Sequence, residues 1–333
     1  MAIILHIGFP KTSTTSLQLG LKANGARLEA AGLLYPLVDS DFKQRYLKFL
    51  VSKHNEPRQA DAVLRRLAEC ISSHPNRHVL LSCEELTNIY MTDFSEISLA
   101  RLRDFLRTLT SDIRLIAYVR NPAEFYISMM QEKLKRSAGI VGPDGFLARF
   151  AQILAQYENV FQVKAIVRNF KRSELIGRDI ITDFFAQFDD LFTIDVAAWD
   201  QIEANEALTP ETLFVLDLAH RAAPERPPHR TRRKEVEGFW RNLQRIARSL
   251  DNTRKPILLR SAAEAVLQAN EEDGRALAER YGVRFATYEF LDLRPQFSPP
   301  EQMSDVENIV PVDRKTAFEI CDRYRSQYHV QII

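Results

Sequence analysis

Ala2-Ile-Ile-Leu-His-Ile7-Gly8-Phe-Pro10-Lys11-Thr12-Ser13-Thr14-Thr15-Ser16 is the stretch that decides the fold. The apolar run Ala2–Ile7 ends at Gly8 and reads as a buried parallel strand. A polar turn follows, and from Thr14 the spacing of Leu17, Leu21 and Leu28 puts apolar side chains on one helical face. Strand, tight turn and helix in that order make a cradle for a phosphate group. The helix N-terminus offers unpaired backbone N–H groups and the positive end of its dipole. Lys11 adds a mobile charge, and Thr12, Thr14 and Thr15 add hydroxyls. The plain alternative is a capped helix start with incidental hydroxyls. The stretch is not the ordinary P-loop, G-x-x-x-x-G-K-[ST], in which lysine directly follows the second glycine. Here Lys11 stands three residues after Gly8, with no second glycine before it.

Working outward, Leu33-Leu34-Tyr35-Pro36 predicts a short second strand closed by its proline. Residues 40–76 are polar and read mostly as helix. His78–Ser82 predicts a third buried strand that delivers Cys83, Glu84 and Glu85 at its carboxyl end. Leu99–Leu109 has helical spacing and leads into Ile113–Val119, the clearest strand, which ends at Arg120. Asn121-Pro122 starts a helix, with Asn as N-cap and Pro at the first helical position, expected to reach about Lys135. Val163–Val167 predicts a fifth strand and 179–188 a helix. Strands alternating with helices argue for an α/β fold with a parallel sheet. Beyond about residue 195 the pattern is helical, with one further strand expected at 284–288. Pro224–Pro228 and Pro295–Pro300 read as loops.

Composition narrows the classes. The chain has 333 residues, 45% of them hydrophobic and 27% charged, enough to bury a large core without disulfides or metal. Its formal net charge of +1 gives no support to bulk nucleic-acid or membrane-surface binding, so any anion site rests on locally placed basic residues. Cys70, Cys83 and Cys321 are odd in number and far apart, which fits neither a disulfide framework nor a zinc site. No apolar run approaches the length of a membrane span, and no basic stretch precedes the first apolar run. The expectation is a cytoplasmic protein with no nucleic-acid partner and no transmembrane segment.

The second phosphate-type element is Arg120, at the carboxyl end of the strongest strand, with Ser128 eight residues on. Open α/β sheets bind ligands at that edge. An arginine there can fork onto a phosphate while a serine hydroxyl donates a second bond. The bland reading is a strand-capping arginine and a surface serine.

At this point the sequence resembles a known family. Pro10-Lys11-Thr12-Ser13-Thr14-Thr15 looks like the 5′-phosphosulfate loop of sulfotransferases that use 3′-phosphoadenosine 5′-phosphosulfate (PAPS). Tyr118-Val119-Arg120-Asn121-Pro122, with Ser128, is similar to that family's 3′-phosphate element. Ile166-Val167-Arg168-Asn169-Phe170, then Asp183-Phe184-Phe185, resembles a later part of the same domain. His6-Ile7-Gly8 through Gln18, with Leu34-Tyr35-Pro36, resembles bacterial members of the carbohydrate-type branch. The resemblance covers roughly residues 3–190. The family loop usually carries glycine where this chain has Ser13, and the C-terminal Arg-Lys-Gly element of eukaryotic cytosolic members has no counterpart. Arg230–Lys234 is the nearest basic cluster, and it reads as a solvated loop.

The resemblance implies a P-loop-NTPase-like, three-layer α/β fold with a central parallel sheet and a helical C-terminal part. One sulfotransferase-like domain is expected, with a PAPS-binding core over 1–195 and a mainly helical acceptor or lid region over 196–333. Pro10, Lys11, Thr12, Ser13, Thr14, Thr15, Ser16, Arg120 and Ser128 would bind the cofactor. PAPS would be the donor, adenosine 3′,5′-bisphosphate the product, and a hydroxyl-bearing small molecule or saccharide the acceptor, with no metal. Lys11 would meet the leaving phosphate oxygen. The base must be a titratable group near the loop. Glu84 is the first choice, since Leu81-Ser82-Cys83-Glu84 resembles the strand-end Ser-x-Glu of bacterial members. Glu85 is the alternative, and a helix-start carboxylate the bland reading for either. His6 and His78 are weaker candidates, and His54, His74, His220, His229 and His329 have no evident partner. Trp199 and Trp240 read as core or interface residues, and the alternative for Trp240 is a wall of an acceptor cleft. The rivals are a P-loop nucleotide kinase, which would want a Walker lysine and a strand-end Asp for magnesium, and a non-catalytic nucleotide-binding relative.

Overall fold

A computed structural model describes residues 1–51, 57–87, 96–136, 139–197, 199, 207–222, 232–291 and 305–328. The expected loops at 224–228 and 295–300, residues 230 and 231 of the basic cluster, and His54, His229 and His329 lie outside them. The strands are β1 (Ile3–His6), β2 (Leu33–Leu34), β3 (His78–Ser82), β4 (Ile113–Val119) and β5 (Ile166–Asn169). The helices of the first half are α1 (Thr14–Ala23), α2 (Gly25–Ala30), α3 (Lys48–Val51), α4 (Pro57–Ser72), α5 (Glu96–Leu109) and α6 (Pro122–Lys135). Those of the second half are α7 (Phe150–Phe161), α8 (Ile180–Phe185), α9 (Pro210–Arg221), α10 (Arg232–Ser249), α11 (Arg260–Ala269), α12 (Glu271–Tyr281), α13 (Val306–Ile309) and α14 (Arg314–Tyr328). No helix of the described residues is long and apolar enough to cross a membrane.

The chain divides into two compact units. The first comprises Met1–Arg120, Arg149–Ala204 and Asp273–Phe285, and the second Asn121–Ala148, Asn205–Glu272 and Ala286–Ile333. The first holds an α/β fold whose five strands all run parallel in the order β2-β3-β1-β4-β5. This order is neither the dinucleotide-binding 3-2-1-4-5-6 nor the flavodoxin-like 2-1-3-4-5. It makes β1 central, with His6 level with Ser82 of β3 on one side and Ile116 of β4 on the other. The carboxyl ends of β1 and β3, and the loops that leave them, therefore open side by side.

Both faces of the sheet are buried, as a parallel sheet requires. On one face Ile4, Leu80, Ile116 and Tyr118 pack with Leu17 and Leu21 of α1, Leu28 of α2 and Ile181, Phe184 and Phe185 of α8. The alternating residues Ile3, Leu5, Leu81, Leu115 and Ala117 point the other way and are also wholly buried, so the sheet is the middle of three layers. Asp183, wholly buried, accepts hydrogen bonds from Tyr118 Oη at 2.8 Å, Arg168 Nη2 at 2.6 Å and the Ile176 N–H at 2.9 Å. That makes Arg168 and Asp183 a structural pair joining β5 to α8. Burial, then the neighbouring Asp183 charge, holds the Tyr118 phenol well above its ordinary range.

Two expectations are corrected. The fifth strand runs over 166–169 rather than 163–167. Gln162 ends α7 in the left-handed conformation, and the Ala165 N–H is taken by Glu158 Oε1 at 3.0 Å, so 163–165 form the turn. Residues 284–288 form no strand, and the nearest pairing is a single bridge between Leu259 and Leu291, too short to propagate a ladder. The described residues among 40–76 are mostly helical, as expected, in α3, α4 and a 3-10 turn over Arg45–Leu47; before that turn the buried Gln44 binds Pro36 O and the Ser82 N–H with its side chain.

The described residues of the second unit are helical apart from loops and that bridge. α6 begins as expected, Asn121 Oδ1 accepting from the Ala123 N–H at 2.9 Å with Pro122 at the first helical position. Buried Glu211 on α9 is satisfied by Asn252, Arg254 and the Asp313 N–H, a built-in tie among three segments.

Candidate functional site

The loop after β1 begins at Gly8, whose φ of +106° is strained for any residue with a side chain. A Cβ there would also come within 2.7 Å of Thr87 Oγ1 and 3.2 Å of Glu84 Cα. Glycine therefore lets the loop lie against the segment after β3. Thr87 Oγ1 donates to Ile7 O at 2.7 Å and fastens that segment down.

Pro10 and Thr12 are buried in the turn, and Thr12 Oγ1 donates to Phe9 O at 2.6 Å, so its hydroxyl serves the loop itself. Lys11 and Ser13 both adopt positive φ, +65° and +58°. Ser13 thus holds the left-handed conformation at the position where the resembling loop usually has glycine, a conformation costly for L-residues. It stands at the N-cap of α1 yet makes no side-chain capping bond, and the first turn carries no acidic residue. The amides of Thr14, Thr15 and Ser16 consequently begin the helix without an anionic or hydroxyl cap from Ser13, which suits them to an anion.

Thr14 Oγ1 donates to Glu84 Oε2. Glu84 opens a 3-10 turn, Glu84–Thr87, directly after β3 and Cys83. The half-buried Glu84 and the loop are thus in hydrogen-bond contact, although seventy residues separate them in sequence. Glu85 is also half-buried in the same turn. Cys83 is buried, and desolvation pushes its thiol far above the ordinary range, so it stays protonated.

Arg120 closes the β4 edge. Its Nη1 donates to Lys11 O at 3.3 Å, and its guanidinium lies 5.8 Å from the centre of the Phe170 ring. The sheet thereby brings Lys11, Thr14, Glu84 and Arg120 to one edge. Ser128 is half-buried on the second turn of α6 and belongs to the second unit.

The chain matches no family model and no curated protein.

Beneath the loop, Gln18 Nε2 donates to Ser82 O at 3.0 Å, and His6 Nδ1 lies 2.8 Å from Ser82 Oγ. These bonds tie β1, β3 and α1 together just inside the site. Burial pulls the His6 imidazole down to about 3, so it is neutral and structural. His78 lies at the far end of β3, where its Nδ1 accepts from the Ala2 N–H at 3.1 Å. Trp199 is buried against Phe185, in keeping with a core role. Trp240, on α10, has Lys135 Nζ 4.9 Å from its ring centre.

Sequence reasoning missed three participants. Phe170 lies beneath the Arg120 guanidinium, and although it ends the stretch Ile166–Phe170 quoted for the resemblance, nothing local gave it this role. Thr87 carried no signal, since its role depends on how closely Gly8 approaches. Lys43, whose Nζ donates to Thr15 Oγ1 at 3.1 Å, stands in a stretch without periodicity and is brought to the loop by tertiary structure alone.

Proposed function

We propose that this protein is a PAPS-dependent sulfotransferase with a P-loop-NTPase-like core, transferring a sulfuryl group to a hydroxyl acceptor, a carbohydrate or glycolipid. The observation that carries the reading is the Thr14–Glu84 hydrogen bond. It joins a phosphate-type loop to a strand-end carboxylate, the two parts that transfer to a hydroxyl requires. The loop amides and Lys11 hold the 5′-phosphosulfate, and Arg120 serves the 3′-phosphate.

The reaction is an in-line displacement, governed like phosphoryl transfer by positioning and electrostatics. The acceptor oxygen bonds to sulfur while the bond from sulfur to the 5′-phosphate oxygen breaks. The electron pair of that bond leaves on the phosphate, where Lys11 and the first-turn amides of α1 stabilise the growing charge. Glu84 takes the acceptor proton. Thr14 keeps the carboxylate against the loop, so donor and base share one frame.

The same pair also suits a second reading. A loop hydroxyl beside a strand-end carboxylate is the combination that holds magnesium in NTP-using P-loop enzymes. A calorimetric titration separates the two. The sulfotransferase reading expects tight binding of adenosine 3′,5′-bisphosphate and little response to ADP or to ATP with magnesium. Preference for ATP with magnesium overturns it in favour of a kinase. Bisphosphate binding without transfer to any hydroxyl acceptor leaves a non-catalytic relative.

A further inference from the structure

The Asp41–Gln44 turn, which follows β2, reaches the phosphate loop from the side opposite Arg120's strand. Gln44 anchors it. Wholly buried, its side chain accepts from the Ser82 N–H at 2.7 Å and donates to Pro36 O at 2.8 Å. The turn is therefore fixed to the end of β3, the strand that delivers Glu84. Its backbone is tightened by Asp41, whose carbonyl accepts from the Gln44 N–H at 3.0 Å.

This anchoring sets Lys43 beside α1. The Lys43 ammonium donates to Thr15 Oγ1 at 3.1 Å and lies 5.9 Å from the centre of the Phe42 ring. Among the described residues it forms no ion pair. A half-buried cation is thus held at the positive end of a helix, against the loop that carries Lys11. Like charges gathered at a helix N-terminus repel one another and the dipole, which is unfavourable until an anion arrives. Ammonium groups are compact, flexible donors suited to non-directional oxygen contact.

We propose that Lys43 is a second cation on the 5′-phosphosulfate, contacting its non-bridging oxygens from the β2–β3 side while Lys11 takes the leaving oxygen. The assignment rests on the sulfotransferase reading. The proton from the acceptor still goes to Glu84. A cation on each flank shares the negative charge of the group between them and holds it in line with the acceptor.

The test is calorimetry with adenosine 3′,5′-bisphosphate and adenosine 3′-monophosphate on the wild type, Lys43→Met and Lys43→Arg. Urea unfolding of each variant verifies that the fold is kept. The methionine variant is expected to bind the bisphosphate at least 10-fold more weakly and the 3′-monophosphate within twofold of wild type. The arginine variant should recover most of the loss. Unchanged bisphosphate affinity in Lys43→Met, or equal losses for the two nucleotides, overturns the role of Lys43 alone. A wild type that binds neither nucleotide overturns the sulfotransferase reading, and the Lys43 role with it.

Discussion

Gly8→Ala tests the close approach on which the site is built. The new Cβ would sit 2.7 Å from Thr87 Oγ1 and 3.2 Å from Glu84 Cα, at a φ of +106°. A left-handed-type φ costs an L-residue about 1–2 kcal/mol, and overpacking a tight contact costs about 1–3 kcal/mol. The smaller unfolded-state entropy of alanine returns about 0.4–1 kcal/mol. The net expectation is a loss of about 1–5 kcal/mol, read as a lower urea midpoint by circular dichroism. Thr87 cannot retreat without giving up its bond to Ile7 O, so Glu84 moves relative to Thr14. A displacement near 1 Å in such a site costs about 10²-fold in rate. Gly274→Ala is the control. It lies within α12 with open space around its Cβ, and gains about 0.5–1 kcal/mol from helix propensity. If Gly8→Ala loses less than about 0.5 kcal/mol, the typical scatter of a neutral substitution, the packing of the loop on the Glu84 turn has been misread.

Three further outcomes are expected. Arg120→Ala should weaken adenosine 3′,5′-bisphosphate binding by about 2–4 kcal/mol, the scale of a truncated buried charge contact, while adenosine 5′-monophosphate binding changes little. Equal losses for both ligands refute a 3′-phosphate role. Glu84→Gln keeps an oxygen for the Thr14 hydroxyl, so it should bind the bisphosphate normally but transfer sulfuryl about 10²-fold or more slowly. Full transfer would move the base to Glu85. His6 supplies a pH signature. The unfolded chain takes up its proton below pH 6.5, while the folded imidazole refuses it until about pH 3. Its contribution is complete above pH 6.5 and drains away as pH falls toward 3. Wild type should lose about 2 kcal/mol more than His6→Gln between pH 7 and pH 5, measured by urea unfolding at each pH. Parallel profiles refute a neutral buried His6.

Much of the core was legible because its elements are locally coded. β3 and β4 fall where their apolar runs lie, and α6 starts where Asn121-Pro122 places it. β5 moved by three residues because Gln162 and Glu158 shape the turn before it. The missing strand at 284–288 shows that an extended, apolar-tinged run means nothing without a partner to complete a ladder.

By itself, the sequence determined the parallel α/β core, the loop after β1 and the identity of the charged groups near it. Each follows from a short-range pattern: an apolar run of strand length, a helical spacing, a lysine among hydroxyls. Strand order, and with it the meeting of these groups, was decided by tertiary structure. β1 lies between β3 and β4, so Glu84 and Arg120 arrive at the Gly8–Ser16 loop from opposite sides. Lys43 arrives only because buried Gln44 binds the end of β3. Hydrogen bonds between segments tens of residues apart depend on which strands pair, and no local pattern encodes that choice.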